Sequence, residues 1–381
     1  MQTDKPGTDK TFFPGLNGLR FTAALMVIVH HIEQSKKDSG YVNSYDNVFI
    51  NSIGGLGVDL FFVLSGFLIT YLLIAEKERY KDIKVGQFYL RRILRIWPLY
   101  FLLVLSGLFI FPHIPFLYSH PGTGKYLLQK TILFCLILPN IVLMKYGVVP
   151  YISQTWSIGV EEQFYLIWPL LLKYTKRYLV ALFGVIIFMK ALEFILPHAL
   201  SFLAMHNTLM SLQNSIAFTI NYISYLRISC MAIGGLGAYV LYFKKDTILS
   251  FIYRRDVQAI VILVSIPLLA LGKLYAHSVI FCFLILNISS NPKSLIKLNT
   301  SLFDFLGKIS YGIYMYHALA IGITLYVLQK MSMQYNDIIS NTALYASTIL
   351  LTIGLATLSY NLFEKRFLGM KKRFTRIESG T

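Results

Sequence analysis

Arg20 and His31 stand eleven residues apart in GLNGLRFTAALMVIVHHIEQ (Gly15 to Gln34), a stretch that is otherwise mostly apolar. On an α-helix, eleven residues turn about 1100°, which leaves the two side chains ~20° apart on one face and about 16 Å apart along the axis. A guanidinium can hold an anion at one level of such a face, and an imidazole can move a proton at the other. His30 points ~80° away from Arg20 and is the weaker candidate. Taken singly, Arg20 could snorkel to a membrane surface and His31 could be an interfacial ring. The shared face favours a functional pair.

Four further stretches carry ionisable groups in apolar surroundings. GGLGVDLFFVLSGFL holds Asp59, a carboxylate that could orient a histidine and raise its basicity. FYLRRILRIWPLY holds Arg91, Arg92 and Arg95, of which Arg92 and Arg95 are three apart and so neighbours on a helix face. Paired guanidinium forks suit phosphates; the plainer reading is a set of topology signals. TWSIGVEEQFYLIWP holds Glu161 and Glu162, either of which could serve as an acid or base, or could cap a short helix or pair with a cation. LGKISYGIYMYHAL holds Lys308, Tyr311 and His317. Lys190 with Glu193, and Arg227 with His277, read as structural or interfacial residues. Cys135, Cys230 and Cys282 each lie within an apolar segment with no CxxC spacing, so they read as packing residues and no metal site is expected.

The elements that must carry these residues are membrane helices. The chain has 381 residues, 56% hydrophobic and only 14% charged. Its apolar residues come in blocks such as Ile53 to Ala75, long enough for a bilayer that needs about 20. The formal net charge of +17 sits in short loops between the blocks, which argues for topology signals and against nucleic acid. Eleven apolar segments are expected, at roughly 15–33, 53–75, 93–111, 127–144, 155–172, 178–196, 223–243, 257–272, 275–290, 305–328 and 341–363, by length and hydropathy. The basic stretches 76–95, 244–256, 291–298 and 364–376 belong in the cytoplasm. If all eleven segments cross, the basic 173–178 falls outside. The sequence therefore predicts an all-α polytopic membrane protein with about ten crossings and one re-entrant or short helix at 155–172, both termini cytoplasmic. Residues 1–14 form a cytoplasmic segment, 15–363 a single membrane domain and 364–381 a basic cytoplasmic tail.

In order, the five stretches resemble the integral-membrane acyltransferase family three, which O-acylates sugars and glycoconjugates; the resemblance runs from about residue 13 to 366. It places the basic-residue-then-histidine pattern on Arg20 and His31, the RxxR pattern on Arg92 and Arg95, the Ser-x-x-x-Glu carboxylate on Glu161, the Gly-Val-Asp aspartate on Asp59 and the late histidine on His317. Ile158 and Gly159 stand where the family often has Leu and Ser. Many members carry an extra hydrolase-like domain after the last helix; the sequence reads as the form without it. The resemblance implies an acyl-CoA donor, acetyl-CoA above all, with its phosphates at Arg92 and Arg95. It implies His31 as base or acyl carrier, Asp59 or Glu161 holding the imidazole, and Arg20 stabilising negative charge. The implied acceptor is a surface or lipid-linked sugar, and the implied location a bacterial inner membrane. The rival class is a sugar or amphiphile transporter with the buried His, Asp and Glu as a proton relay; the lack of an internal repeat counts against it. One tension stands: Arg20 lies near the cytoplasmic face and His31 deeper.

Overall fold

Long runs of Leu, Ile, Phe and Val give helices, because in lipid every backbone N–H and C=O must be satisfied within the segment. The computed structural model describes residues 10–11, 13–117, 124–205, 210–270, 276–331 and 338–379. Most of the expected N-terminal segment 1–14, and the boundary between the segments expected at 257–272 and 275–290, lie outside these residues. The helices are α1 (Leu16–Asp38), α2 (Val48–Tyr80), α3 (Val85–Phe109), α4 (Leu127–Cys135), α5 (Pro139–Tyr146), α6 (Trp156–Tyr174), α7 (Tyr178–Met205) and α8 (Met210–Leu226). They continue with α9 (Ile228–Tyr242), α10 (Asp246–Ile252), α11 (Arg255–Ala270), α12 (His277–Ser290), α13 (Ser301–Lys308), α14 (Ser310–Lys330), α15 (Ile338–Ser359) and α16 (Lys365–Lys371). Among the described residues, six helical runs are long and apolar enough to cross a bilayer unaided. The protein is an all-α, multi-pass membrane protein.

Contacts between helix ends sort the loops. At one end Lys173 pairs with Asp82 at 2.9 Å and Lys77 donates to the carbonyls of Leu172 and Thr175. Tyr178 donates to Glu78, Asn291 Nδ2 to the Tyr253 carbonyl, and Arg91 to the Phe374 carbonyl. With the Tyr178 ring 5.9 Å from that of Phe243, these contacts gather the basic stretches 76–95, 173–178, 244–256, 291–298 and 364–376 at a single end, which includes the one that conflicted with the sequence reading. The Lys173 ammonium also holds the exposed Asp82 carboxyl below its ordinary range. A two-residue parallel pairing of Lys10–Thr11 with Glu378–Ser379 joins the segment before α1 to the segment after α16. At the opposite end Glu33 binds Lys36 and accepts from Tyr345, while Lys36 also reaches Asn341 at 2.9 Å.

The turned-back segment is not 155–172. That stretch is one continuous helix, α6, and its C-terminus lies at the basic end beside Asp82. The turn falls earlier, in the segment expected to cross at 127–144. Helices α4 and α5 have nine and eight residues, so each reaches only about 12–14 Å, too short for a hydrocarbon core of about 30 Å. Ile137 between them takes a left-handed φ of 57°, and the Tyr126 and Tyr146 rings lie 5.3 Å apart, so the hairpin returns to the end it left. Pro139 starts α5 against Gly159 of α6, where any larger residue would collide with the proline ring. Sequence hydropathy sees only an apolar block and cannot register a three-residue reversal inside it.

Helices α2 and α9 approach most closely. A Cβ on Gly66 would run into the Met231 backbone, and one on Gly234 into the Val63 carbonyl. Small residues permit this backbone-to-backbone contact, the usual means of tight association between helices in lipid.

Candidate active site

The RxxR pair works because α3 is continuous through Arg92 and Arg95, with Pro98 tolerated further along. Both arginines turn into a cleft enclosed by α1, α2, α3, α6 and α14, and Arg20 of α1 faces them. The cleft encloses about 940 Å³, part of it open to its surroundings, and Ser65, Glu161, Tyr165, Tyr311 and Tyr314 complete its polar wall. Arg20 is 8% exposed, and its Nη1 donates to Asn17 Oδ1 at 3.0 Å. The Arg92 guanidinium lies over the Tyr165 ring at 5.3 Å, and its Nε is buried with no hydrogen-bond partner. Glu161 accepts from both Ser65 and Tyr165. A helix-borne serine usually bonds back within its own helix; Ser65 reaches across to the carboxylate instead. Three guanidinium groups facing one carboxylate leave the cleft short of negative charge.

The histidines form a second layer. His317 is fully buried on α14, and its Nδ1 lies 2.5 Å from the Tyr314 carbonyl. A carbonyl only accepts, so Nδ1 carries the proton and Nε2 a lone pair. That Nε2 lies 3.1 Å from His31 Nδ1, which also lies 3.0 Å from the Val27 carbonyl. The His31 proton therefore sits on Nδ1, shared between the two acceptors, and His31 Nε2 is left as a base. Tyr314 divides the layers: its ring lines the cleft on one side and stands 5.7 Å from the His317 ring on the other. Its hydroxyl meets Ser157 Oγ at 2.7 Å.

Other expected residues go elsewhere. Asp59 does not orient His31. It pairs with Arg227 at 2.5 Å and His277 at 2.6 Å. The reason is angular: Gly57 packs on α1, and two residues further the helix has turned about 200°, which aims Asp59 at α9 and α12. Arg227 and His277 thus hold the carboxylate away from the histidine layer. Cys230 joins Asp59 and His277 in a group whose ligand atoms lie within 4.8 Å of one another. The carboxylate of this group is engaged by Arg227. Glu161 holds Ser65 and Tyr165 rather than an imidazole, since α6 passes the cleft and not the histidine layer. Glu162 faces the other side of α6, where it accepts from Trp97 Nε1 at 3.1 Å. His30 Nδ1 lies 3.0 Å from the Ile50 carbonyl. Lys308 is exposed at the end of α13, outside the cleft. Tyr311 lines the cleft and donates to the Ile96 carbonyl at 2.8 Å. Four polar cleft residues escaped sequence reasoning: Ser65, Ser157, Tyr165 and Ser310. Tyr165 follows Glu161 by one helical turn, a spacing that could have found it; Ser65 gives no local signal.

The arginine cleft, the histidine pair and the helices that hold them all fall within residues 13–360, the span that matches the sequence profile of the acyltransferase domain family. The chain belongs to this family. Among its relatives, the peptidoglycan O-acetyltransferase OatA of Listeria monocytogenes is 31% identical over 163 residues, covering 42% of this chain and 24% of that protein. The O-acetyltransferase OatA of Staphylococcus aureus is 30% identical over 167 residues, covering 43% and 25%. A putative O-acetyltransferase of Staphylococcus aureus is 29% identical over 196 residues, covering 44% and 26%. This acyltransferase thus spans about a quarter of the length of the curated relatives it matches. No solved structure matches it.

Proposed function

We propose that the protein transfers an acetyl group from acetyl-CoA, entering at the basic end, to a hydroxyl of a glycan approaching from the opposite end. The basic end is cytoplasmic by the positive-inside rule, which leaves ten crossings once the α4–α5 hairpin is set aside. The observation that carries the reading is the anion-poor cleft, in which Arg20, Arg92 and Arg95 converge and the Arg92 Nε is buried and unpaired. An unpaired buried donor asks for an acceptor, and phosphate oxygens are the acceptors that guanidinium groups fit best.

The long donor removes the depth problem. Its phosphates rest at the arginines, and its flexible arm runs up the cleft past Tyr314. The thioester then stands near His31, about 16 Å along α1 from Arg20. His31 Nε2 takes the proton of the acceptor hydroxyl. The oxygen attacks the thioester carbonyl, the carbon–sulfur bond breaks, and the departing thiolate takes the proton back from the imidazolium. His317 holds His31 in the tautomer that this step needs. Peptidoglycan is the first acceptor to try, since the Listeria relative's name specifies it; a bacterial cytoplasmic membrane is the matching location.

The test is donor-dependent stability in detergent. Acetyl-CoA at about 100 times its Kd should stabilise the fold by about 2.7 kcal/mol, read as a rise in Tm. Arg92→Ala/Arg95→Ala should lose that rise while keeping the ligand-free Tm. A wild-type protein whose Tm ignores acetyl-CoA would falsify the donor assignment.

A further inference from the structure

The segment after α15 makes a π-type turn at Tyr360–Glu364 and then doubles onto the arginine helix as α16. It is fastened there. Arg91 Nη1 donates to the Phe374 carbonyl at 2.7 Å, Arg376 reaches Glu76 at 3.8 Å, and the Arg376 guanidinium covers the Tyr80 ring at 4.9 Å. Lys365, Arg366 and Arg373 point outward, as solvating charges should. Lys371 does not. It is half-buried and stands within electrostatic reach of Arg20, Arg91, Arg92 and Arg95.

Three of the carboxylates nearby are already engaged, and Glu162, close enough to act on Arg92, accepts from Trp97 and leaves its Oε1 unpaired. Glu76 serves Arg91, Arg376 and the backbone N–H of Lys84, Glu161 serves Ser65 and Tyr165, and Glu364 accepts from Ser359 at 3.0 Å. A half-buried lysine on the helix packed against α3 adds to the positive charge of Arg91, Arg92 and Arg95, which an anion bound there would relieve. A mere topology signal would point to water, as its three basic neighbours do.

We propose that Lys371 is a donor-binding residue that holds a phosphate of the acyl donor between α16 and α3. The proposal deepens the function above and rests on it. A compact ammonium suits one phosphate held as a point charge, while the planar guanidinium forks of α3 grip the remainder. The C-terminal segment then forms part of the binding wall.

The chemistry recognised is a phosphate, which a lipid headgroup could also supply, so the experiment separates the two. Donor KM and kcat are measured for the full chain in neutral detergent and in vesicles with and without phosphatidylglycerol. Lys371→Ala should raise the acetyl-CoA KM about tenfold in every setting, with kcat within twofold; Lys371→Arg should restore most of the affinity. Lys365→Ala and Arg366→Ala should leave KM unchanged. An unchanged KM in Lys371→Ala, with wild-type donor binding intact, overturns this proposal alone. So does a KM effect confined to phosphatidylglycerol vesicles, which would assign the lysine to lipid. A wild-type chain that does not bind acetyl-CoA overturns the donor reading beneath it.

Discussion

His31 has one nitrogen to spend. Its Nδ1–H is committed to Val27 and His317, so any proton it moves travels through Nε2. Acid should therefore protonate Nε2 and suppress transfer, and kcat/KM should rise with pH through the titration of the imidazole. His31→Ala should lower kcat by about 10²–10⁴-fold, the range for a general base. His317→Ala should cost less, about tenfold, and should also shift the acid limb of the pH profile; His317→Gln, whose side-chain oxygen can accept from His31, should recover part of the loss. A purely structural histidine would change Tm and leave the pH profile in place. The Arg20–His31 face was legible because helical period alone fixes it. The partner of His31 was not, because the ring meets His317 across 286 positions of sequence, and no local pattern reports which helix packs on which. Asp59 shows the same limit from the other side. Its burial was legible, but its direction depends on which face of α2 meets α1.

Among the elements, the α4–α5 hairpin changes the topology most. Two short helices that enter and leave at one end keep α6 available as a true crossing and bring Lys173 to the basic end. Cysteines placed at the exposed Lys125 and Lys145 should both react with a membrane-impermeant maleimide from the outer face of intact cells, while one at Lys173 should react only after the membrane is opened. Labelling of Lys125 and Lys145 positions from opposite faces would sink the hairpin. The existence of an interrupted segment was legible in the charge balance of the loops, which cannot be satisfied by eleven crossings. Its place was not, since Gly159 and the two glutamates made 155–172 look broken. Glu161 serves the cleft, Gly159 the hairpin contact, and Glu162 accepts from Trp97, and a helix protected by its neighbours tolerates them.

At the scale of the whole molecule, the protein is polar in the sense of direction: five basic stretches at one end, the paired histidines toward the other, and Tyr314 standing between the arginine cleft and those rings. Oriented proteoliposomes should therefore transfer acetyl groups only when acetyl-CoA is supplied on the face that carries the basic end, with acceptor on the other. Equal rates with donor on either face would remove this directionality. Apolar block length, loop charge and the five chemical stretches carried most of this architecture in the sequence; the engagement of the C-terminal segment with α3 did not show, because its contacts are with side chains nearly three hundred residues away. With glycines letting the α2 and α9 backbones touch, a bulkier residue at Gly66 or Gly234 would force the two helices apart. On the proposed reading, a donor arm that passes from the arginines to the imidazoles must displace Tyr314, whose hydroxyl is held by Ser157 and donates to the Gln154 carbonyl.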